Sequence, residues 1–301
     1  MRKVWERELF FLCYYIIGGS MKTTSVNSFD KTLKYKLYRT VYEIIHPTIS
    51  KKNISSYRIV FNDEVLPVRV FYPKKVSNIS KVIIYIPGFG EVSGCLGDYS
   101  EIIKNIAYET EELVIALDLD DLEEFNYLEV FDKCFASFSY LSLELEKLGI
   151  ASSNITLMGD SVGATLALSI VKKSQNKDNK LVLFYPILAN SFAKKKTKEL
   201  DNDFTKKLEK FYKKYLDSKK LKGNKDVLLT LEDVSTIQNN MLFMVGNADP
   251  LKDEVLKFYE AFSNNENNKL VELEFCGHGF LDEMDEVLLN EVAKEIIAFL
   301  K

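Results

Sequence analysis

Apolar residues in this chain gather into short unbroken runs, separated by longer stretches in which they recur with a helical spacing. The first two runs, Tyr57–Phe61 and Leu66–Tyr72, flank the turn-like Asn62-Asp63, and their closeness predicts an antiparallel pair. Six more follow: Val82–Ile86, Leu113–Leu117, Ile155–Met158, Leu181–Tyr185, Met241–Val245 and Leu270–Glu274. Runs this short and this rich in Val, Ile, Leu and Phe read as strands buried on both faces. Between them, Ser100–Thr110 places Ile102, Ile103 and Ile106 on one side. Leu128–Leu148 carries Phe131, Cys134, Phe135, Phe138 and Leu141 at helical spacing. An Ala- and Leu-rich helix follows Ser161, and Glu286–Leu300 forms the last helix. Strands alternating with helices predict an α/β protein with a mostly parallel, eight-stranded sheet and helices on both faces.

One connection is too long for that scheme. Between Tyr185 and Met241, Phe204, Leu208, Phe211, Tyr212 and Tyr215 recur at helical spacing inside a lysine-rich stretch. It reads as a helical cap inserted at about residues 189–238 of a catalytic domain spanning 51–301, with the N-terminal segment 1–50 joining the cap. Twelve lysines stand against five acidic residues from Lys194 to Lys222, in a chain whose net charge is −4. A solvated cap face accounts for this excess; a face that associates weakly with an anionic membrane is the sharper alternative.

The composition narrows the class. A chain of 301 residues that is 47% hydrophobic can bury a large core, and its net charge gives no reason to expect nucleic acid. Cys13, Cys95, Cys134 and Cys276 form no C-x-x-C pair, which argues against a zinc site or a disulfide framework and fits a cytoplasmic protein. The apolar Leu9–Ile17 segment is too short to span a bilayer and lacks a signal-peptidase site. It reads as a helix packed over the body; secretion or peripheral membrane attachment are its alternatives.

Chemistry enters at Gly159-Asp160-Ser161-Val162-Gly163. This G-x-S-x-G directly follows the Ile155–Met158 strand and opens a helix, the context of a nucleophile elbow. A serine hydroxyl needs a base, and the chain holds only two histidines. His46 precedes the first strand. His278, in Cys276-Gly277-His278-Gly279-Phe280, follows the last strand and is the expected base. Asp249, just past Met241–Val245, is the expected acid; Asp253 and Asp282 compete but read more simply as solvated. The oxyanion donors are expected to be the N–H of Val162 and those of Gly88 and Phe89 in the loop Pro87-Gly88-Phe89-Gly90.

These blocks resemble the hormone-sensitive-lipase-like branch of the α/β-hydrolases, from about residue 55 to the end. Gly159-Asp160-Ser161-Val162-Gly163-Ala164 is similar to that branch's G-D-S-A-G-G. Asp249-Pro250-Leu251-Lys252-Asp253-Glu254 matches its D-P-L-x-D-E, and Gly277-His278-Gly279-Phe280 its G-x-H-x-F. Where the branch has H-G-G-G, this chain has Pro87 for the histidine and Phe89 for the middle glycine. The resemblance implies an α/β-hydrolase fold, a catalytic triad of Ser161, Asp249 and His278, and no metal or organic cofactor. It further implies a serine carboxylesterase or lipase-like hydrolase acting on small-molecule esters of short to medium acyl chains. An arylformamidase-like amidase and a catalytically silent fold retained for binding are the alternatives.

Overall fold

In the computed structural model the apolar runs become strands of one sheet. The structure describes residues 41, 44, 45, 54–61, 64–75, 79–88, 96–119, 126–187, 206, 236–262 and 265–301. The chain divides into two compact units, residues 1–36 and 37–301, and every described residue lies in the second. Its strands are β1 (Ile54–Phe61), β2 (Glu64–Phe71), β3 (Val82–Ile86), β4 (Leu113–Leu117), β5 (Ile155–Asp160), β6 (Lys180–Phe184), β7 (Met241–Gly246) and β8 (Lys269–Leu273). They pair in the order β1-β2-β4-β3-β5-β6-β7-β8. The β1–β2 and β2–β4 ladders are antiparallel, and the other five are parallel.

The helices are α1 (Leu96–Thr110), α2 (Tyr127–Lys147), α3 (Val162–Ser174), α4 (Lys252–Ala261) and α5 (Glu286–Leu300). They cover both faces. Val82, Ile84 and Ile86 of β3 join a cluster with Val130 and Leu141 of α2, Ala164 and Leu168 of α3, and Val255 and Phe258 of α4. Ile83 and Tyr85, pointing the other way, join Ile103 and Ile106 of α1 and Val292 and Ile296 of α5. This period-two division is why β3 reads as an unbroken apolar run: it has no solvent face on which to place polar residues. The helical residues Val41, Ile44 and Ile45 join the first cluster, so the core draws on sequence upstream of β1.

The topology chooses where a site forms. From β3 the chain goes to β4 on one side and, later, to β5 on the other. The crevice between the carboxyl ends of β3 and β5 is therefore a topological switch point, where open α/β sheets bind ligands. The loop from Pro87 leaves β3 there, and Ser161 leaves β5 there.

The expected cap lies outside the described residues, apart from Lys206 and residues 236–238, as do Leu9–Ile17, His46, Phe89, Cys13 and Cys95. Among the described residues no helix is long and apolar enough to cross a membrane.

Candidate active site

Ser161 is the single residue between β5 and α3. Its backbone sits at φ 51°, ψ −117°, a conformation that costs energy for any residue with a Cβ. Its surroundings enforce it. The Ser161 N–H donates to the Phe184 carbonyl at 2.9 Å, and the Ser161 carbonyl accepts from the Thr165 amide at 3.3 Å. Thr165 Oγ1 bridges the Ser161 carbonyl (3.3 Å) and the Ile187 carbonyl (2.6 Å), tying the elbow to the chain after β6. Gly163 supplies the remaining clearance. A Cβ there would lie 2.0 Å from the Ile86 carbonyl oxygen and 2.6 Å from that of Pro87, so any side chain would drive the loop after β3 off the elbow.

The turn faces Ser161 toward the end of β8. Its Oγ lies 3.1 Å from His278 Nε2. On the far side of the ring, His278 Nδ1 lies 3.0 Å from Asp249 Oδ2. The side chains of His278 and Asp249 are 4% and 0% exposed, so this contact is made in a low-dielectric setting rather than in water. Asp249 is itself held: its Oδ1 accepts from the Leu251 N–H at 2.8 Å. The two loops are also joined directly, since the Ala248 N–H donates to the Cys276 carbonyl at 2.9 Å. Gly246 permits that approach, because a Cβ there would lie 2.1 Å from the Cys276 carbonyl oxygen. Asp253 and Asp282, the competing acids, are exposed, and the carboxylate on Nδ1 is that of Asp249.

Tyr185 walls the imidazole. Its ring centroid lies 4.9 Å from that of His278, and Phe280 packs edge-on against Tyr185 at 4.8 Å. Tyr185 has φ 35°, which ends β6 and turns the ring toward the histidine. No sequence motif announced it.

The loop after β3 departs from expectation at Gly88. Its N–H donates to Asp160 Oδ1 at 2.9 Å, so this amide serves a protein carboxylate and is not available to a substrate oxyanion. Tyr85 O–H donates to the same oxygen at 2.6 Å. Asp160 is fully buried, and burial pushes its carboxyl up to about 6. The bonds from Tyr85 and Gly88 oppose that rise; the charge of Asp282 adds to it, and His278 opposes it. The Val162 amide, by contrast, opens α3 and has no intrahelical carbonyl to bind.

Cys134 and Cys276 are buried and lie outside any disulfide. Desolvation pushes Cys134 up to about 12, which keeps it protonated and unreactive. Among the described residues no group of three or more His, Cys, Asp or Glu side chains could hold a metal ion.

A family model described as the alpha/beta hydrolase fold matches residues 83–282, and the chain belongs to that family. An esterase from the archaeon Pyrobaculum calidifontis superposes with a TM-score of 0.69 at 17% identity, covering 90% of this chain and 92% of that one. An ethyl acetate hydrolase from Pseudomonas putida is 24% identical over 200 residues, 63% of each chain. The arylacetamide deacetylase of Oryctolagus cuniculus is 26% identical over 152 residues, 49% of this chain and 37% of that protein. The chain thus spans less than two thirds of the length of these curated relatives. Within the fold family it falls in the hormone-sensitive-lipase-like branch.

Proposed function

We propose that this protein cleaves carboxylic esters of short to medium acyl chains through an acyl-enzyme on Ser161. One observation carries the reading: Ser161 Oγ, the His278 ring and the Asp249 carboxylate stand in hydrogen-bonding sequence, with contacts of 3.1 and 3.0 Å. With its Nδ1 proton held by Asp249, His278 presents the Nε2 lone pair to the serine. As Oγ attacks the ester carbonyl, Nε2 takes its proton, and Asp249 stabilises the imidazolium. The tetrahedral oxyanion is received by the Val162 amide, with the Phe89 amide as second donor in place of Gly88. Collapse expels the alcohol, protonated by His278, and leaves the acyl group on Ser161. Water, activated by the same imidazole, then releases the acid and restores the serine. The names of the ethyl acetate hydrolase and the archaeal esterase support ester substrates. The test is a fluorophosphonate probe, which should label the wild type at Ser161 and leave Ser161→Ala unlabelled. Absence of label on folded wild-type protein would overturn the reading.

The arylacetamide deacetylase likeness favours a second reading in which the same residues cleave aryl amides. Comparing p-nitrophenyl acetate with p-nitroacetanilide separates the two: a higher kcat/KM for the anilide would make the amidase reading primary.

Phe89 occupies the position at which the resembling branch has a glycine. Its bulk should set acyl-chain tolerance while its amide serves the oxyanion. Phe89→Gly should therefore accept longer p-nitrophenyl esters while hydrolysing the acetate at near wild-type rate. A drop in kcat on every ester, with unchanged chain preference, would show that the side chain does something else.

A further inference from the structure

Asp160 stands next to Ser161 in sequence, yet its side chain bonds to Tyr85 and Gly88 and takes no part in the hydrogen-bonded relay that Ser161 makes. It is 0% exposed, and its Oδ1 takes two hydrogen bonds, from the Gly88 N–H at 2.9 Å and the Tyr85 O–H at 2.6 Å. Its Oδ2 is buried with no hydrogen-bond partner among the described residues. A carboxylate in this setting works against the fold. It is desolvated, and half of it is unsatisfied. Simple packing does not call for such a group, since an apolar side chain would fill the space without the penalty. What the carboxylate does supply is a charge-assisted acceptor that fixes the first amide of the loop leaving β3.

Resting on the reading of Ser161 as nucleophile, we propose that Asp160 is a positioning residue: its carboxylate, braced by Tyr85, clamps the Gly88 amide and so fixes the start of the loop from which the proposed function draws its second oxyanion donor. The peptide plane carrying the Gly88 N–H is rigid. Fixing that plane at the end of β3 fixes where the chain starts toward the next amide. The clamp therefore links the two sides of the switch-point crevice, since Asp160 ends β5 and Gly88 follows β3. Gly163 lets the same two segments approach through backbone alone. The two devices act together: one removes bulk, the other supplies attraction.

A functional clamp and a merely structural residue move stability and turnover differently. Asp160 is raised to about 6 from an ordinary 3.8, so the folded state holds its proton more tightly than the unfolded chain does. That stabilisation is complete below about pH 3.8 and is lost as pH rises through about 6. Tyr85, His278 and Asp282 are the titratable groups that act on it. Ionised Asp160 is thus a cost to the fold at neutral pH, and it is the ionised form that grips Gly88 most firmly.

The experiment compares Asp160→Asn and Asp160→Ala with wild type on p-nitrophenyl acetate, together with inhibition by butylboronic acid, whose tetrahedral adduct needs the oxyanion donors. Asn keeps a neutral oxygen acceptor and should lose about tenfold in kcat. Ala keeps none and should lose about 10²-fold, the scale of one oxyanion donor. KM should stay within about threefold, and the boronate Ki should rise in proportion to the fall in kcat/KM. The Tm difference between Asp160→Asn and wild type should move in the variant's favour from pH 5 to pH 8. Wild-type kcat and boronate affinity in Asp160→Asn would overturn the clamp, whatever becomes of Ala, which has more chance of misfolding. A wild type that neither hydrolyses the ester nor takes a fluorophosphonate label would instead sink the esterase reading itself.

Discussion

Replacing Ser161 or His278 with alanine should lower kcat on p-nitrophenyl acetate by about 10⁴-fold or more, with little change in the folded structure. The expectation follows from how the two side chains depend on each other. Ser161 Oγ meets one ring nitrogen, at 3.1 Å. Without His278 the hydroxyl keeps its proton, and attack would generate a charged oxygen with no base to relieve it. Without Ser161 no acyl-enzyme can form. Because the pair acts as a unit, the double variant should be scarcely worse than either single one. Additive losses would mean that the two residues serve separate steps. Near-normal hydrolysis by either folded variant would refute their roles. Circular dichroism should confirm the fold, since neither residue bridges the two hydrophobic clusters.

Asp249→Asn should also cost about 10⁴-fold in kcat, for a different reason. The amide can be drawn in the same place, so geometry survives. Its Nδ2 would donate where the carboxylate accepted, and His278 would be driven to place its proton on Nε2, facing Ser161. The base would then present a hydrogen to a hydroxyl it should deprotonate. The buried setting sharpens this, because no water screens the loss of the negative charge beside the imidazolium. Asp282→Asn is the control. Asp282 is exposed and does not hold the Nδ1 bond, so its removal should change kcat by no more than a few-fold. A larger loss from Asp282→Asn than from Asp249→Asn would assign the acid to the wrong residue.

Much of this fold is legible in the chain itself, because buried parallel strands leave a blunt signature. Val82–Ile86 and Leu113–Leu117 have no solvent face and begin and end where their apolar runs do. Boundaries blurred where other forces act. The run Leu181–Tyr185 loses its last residue because Tyr185 adopts a positive φ and turns to the histidine. The run Leu270–Glu274 shifts by one to Lys269–Leu273 because β8 is an edge strand with one open side. The start of α2 at Tyr127 is set by Asn126, whose side chain accepts from the amides of Leu128 and Glu129 while Glu129 accepts from the Asn126 amide. A polar cap of this kind leaves no mark in the apolar pattern.

The site divided in the same way. Ser161, His278 and Asp249 were readable because reactive side chains are scarce and their order along the chain is constrained. The hidden members work through backbone: the Gly88 amide turned to Asp160, the Thr165 hydroxyl on the Ser161 carbonyl, the clearance at Gly246. A sequence records which side chains exist but not which amide faces which carboxylate. Tyr85 alone left a trace, as a hydroxyl-bearing residue in an otherwise aliphatic strand buried on both faces.

The long reach of the relay has a consequence for how the molecule is made. Ser161 and His278 are 117 residues apart in sequence, and the three parallel ladders from β5 to β8 must all close before the imidazole meets the hydroxyl. Non-local parallel pairing of this kind is slow to form, because the chain entropy is surrendered before the contacts reward it. Ser161 is therefore synthesised well before the imidazole that it meets in the folded chain. On the proposed function, Ser161 would lack its base until the last strand docks.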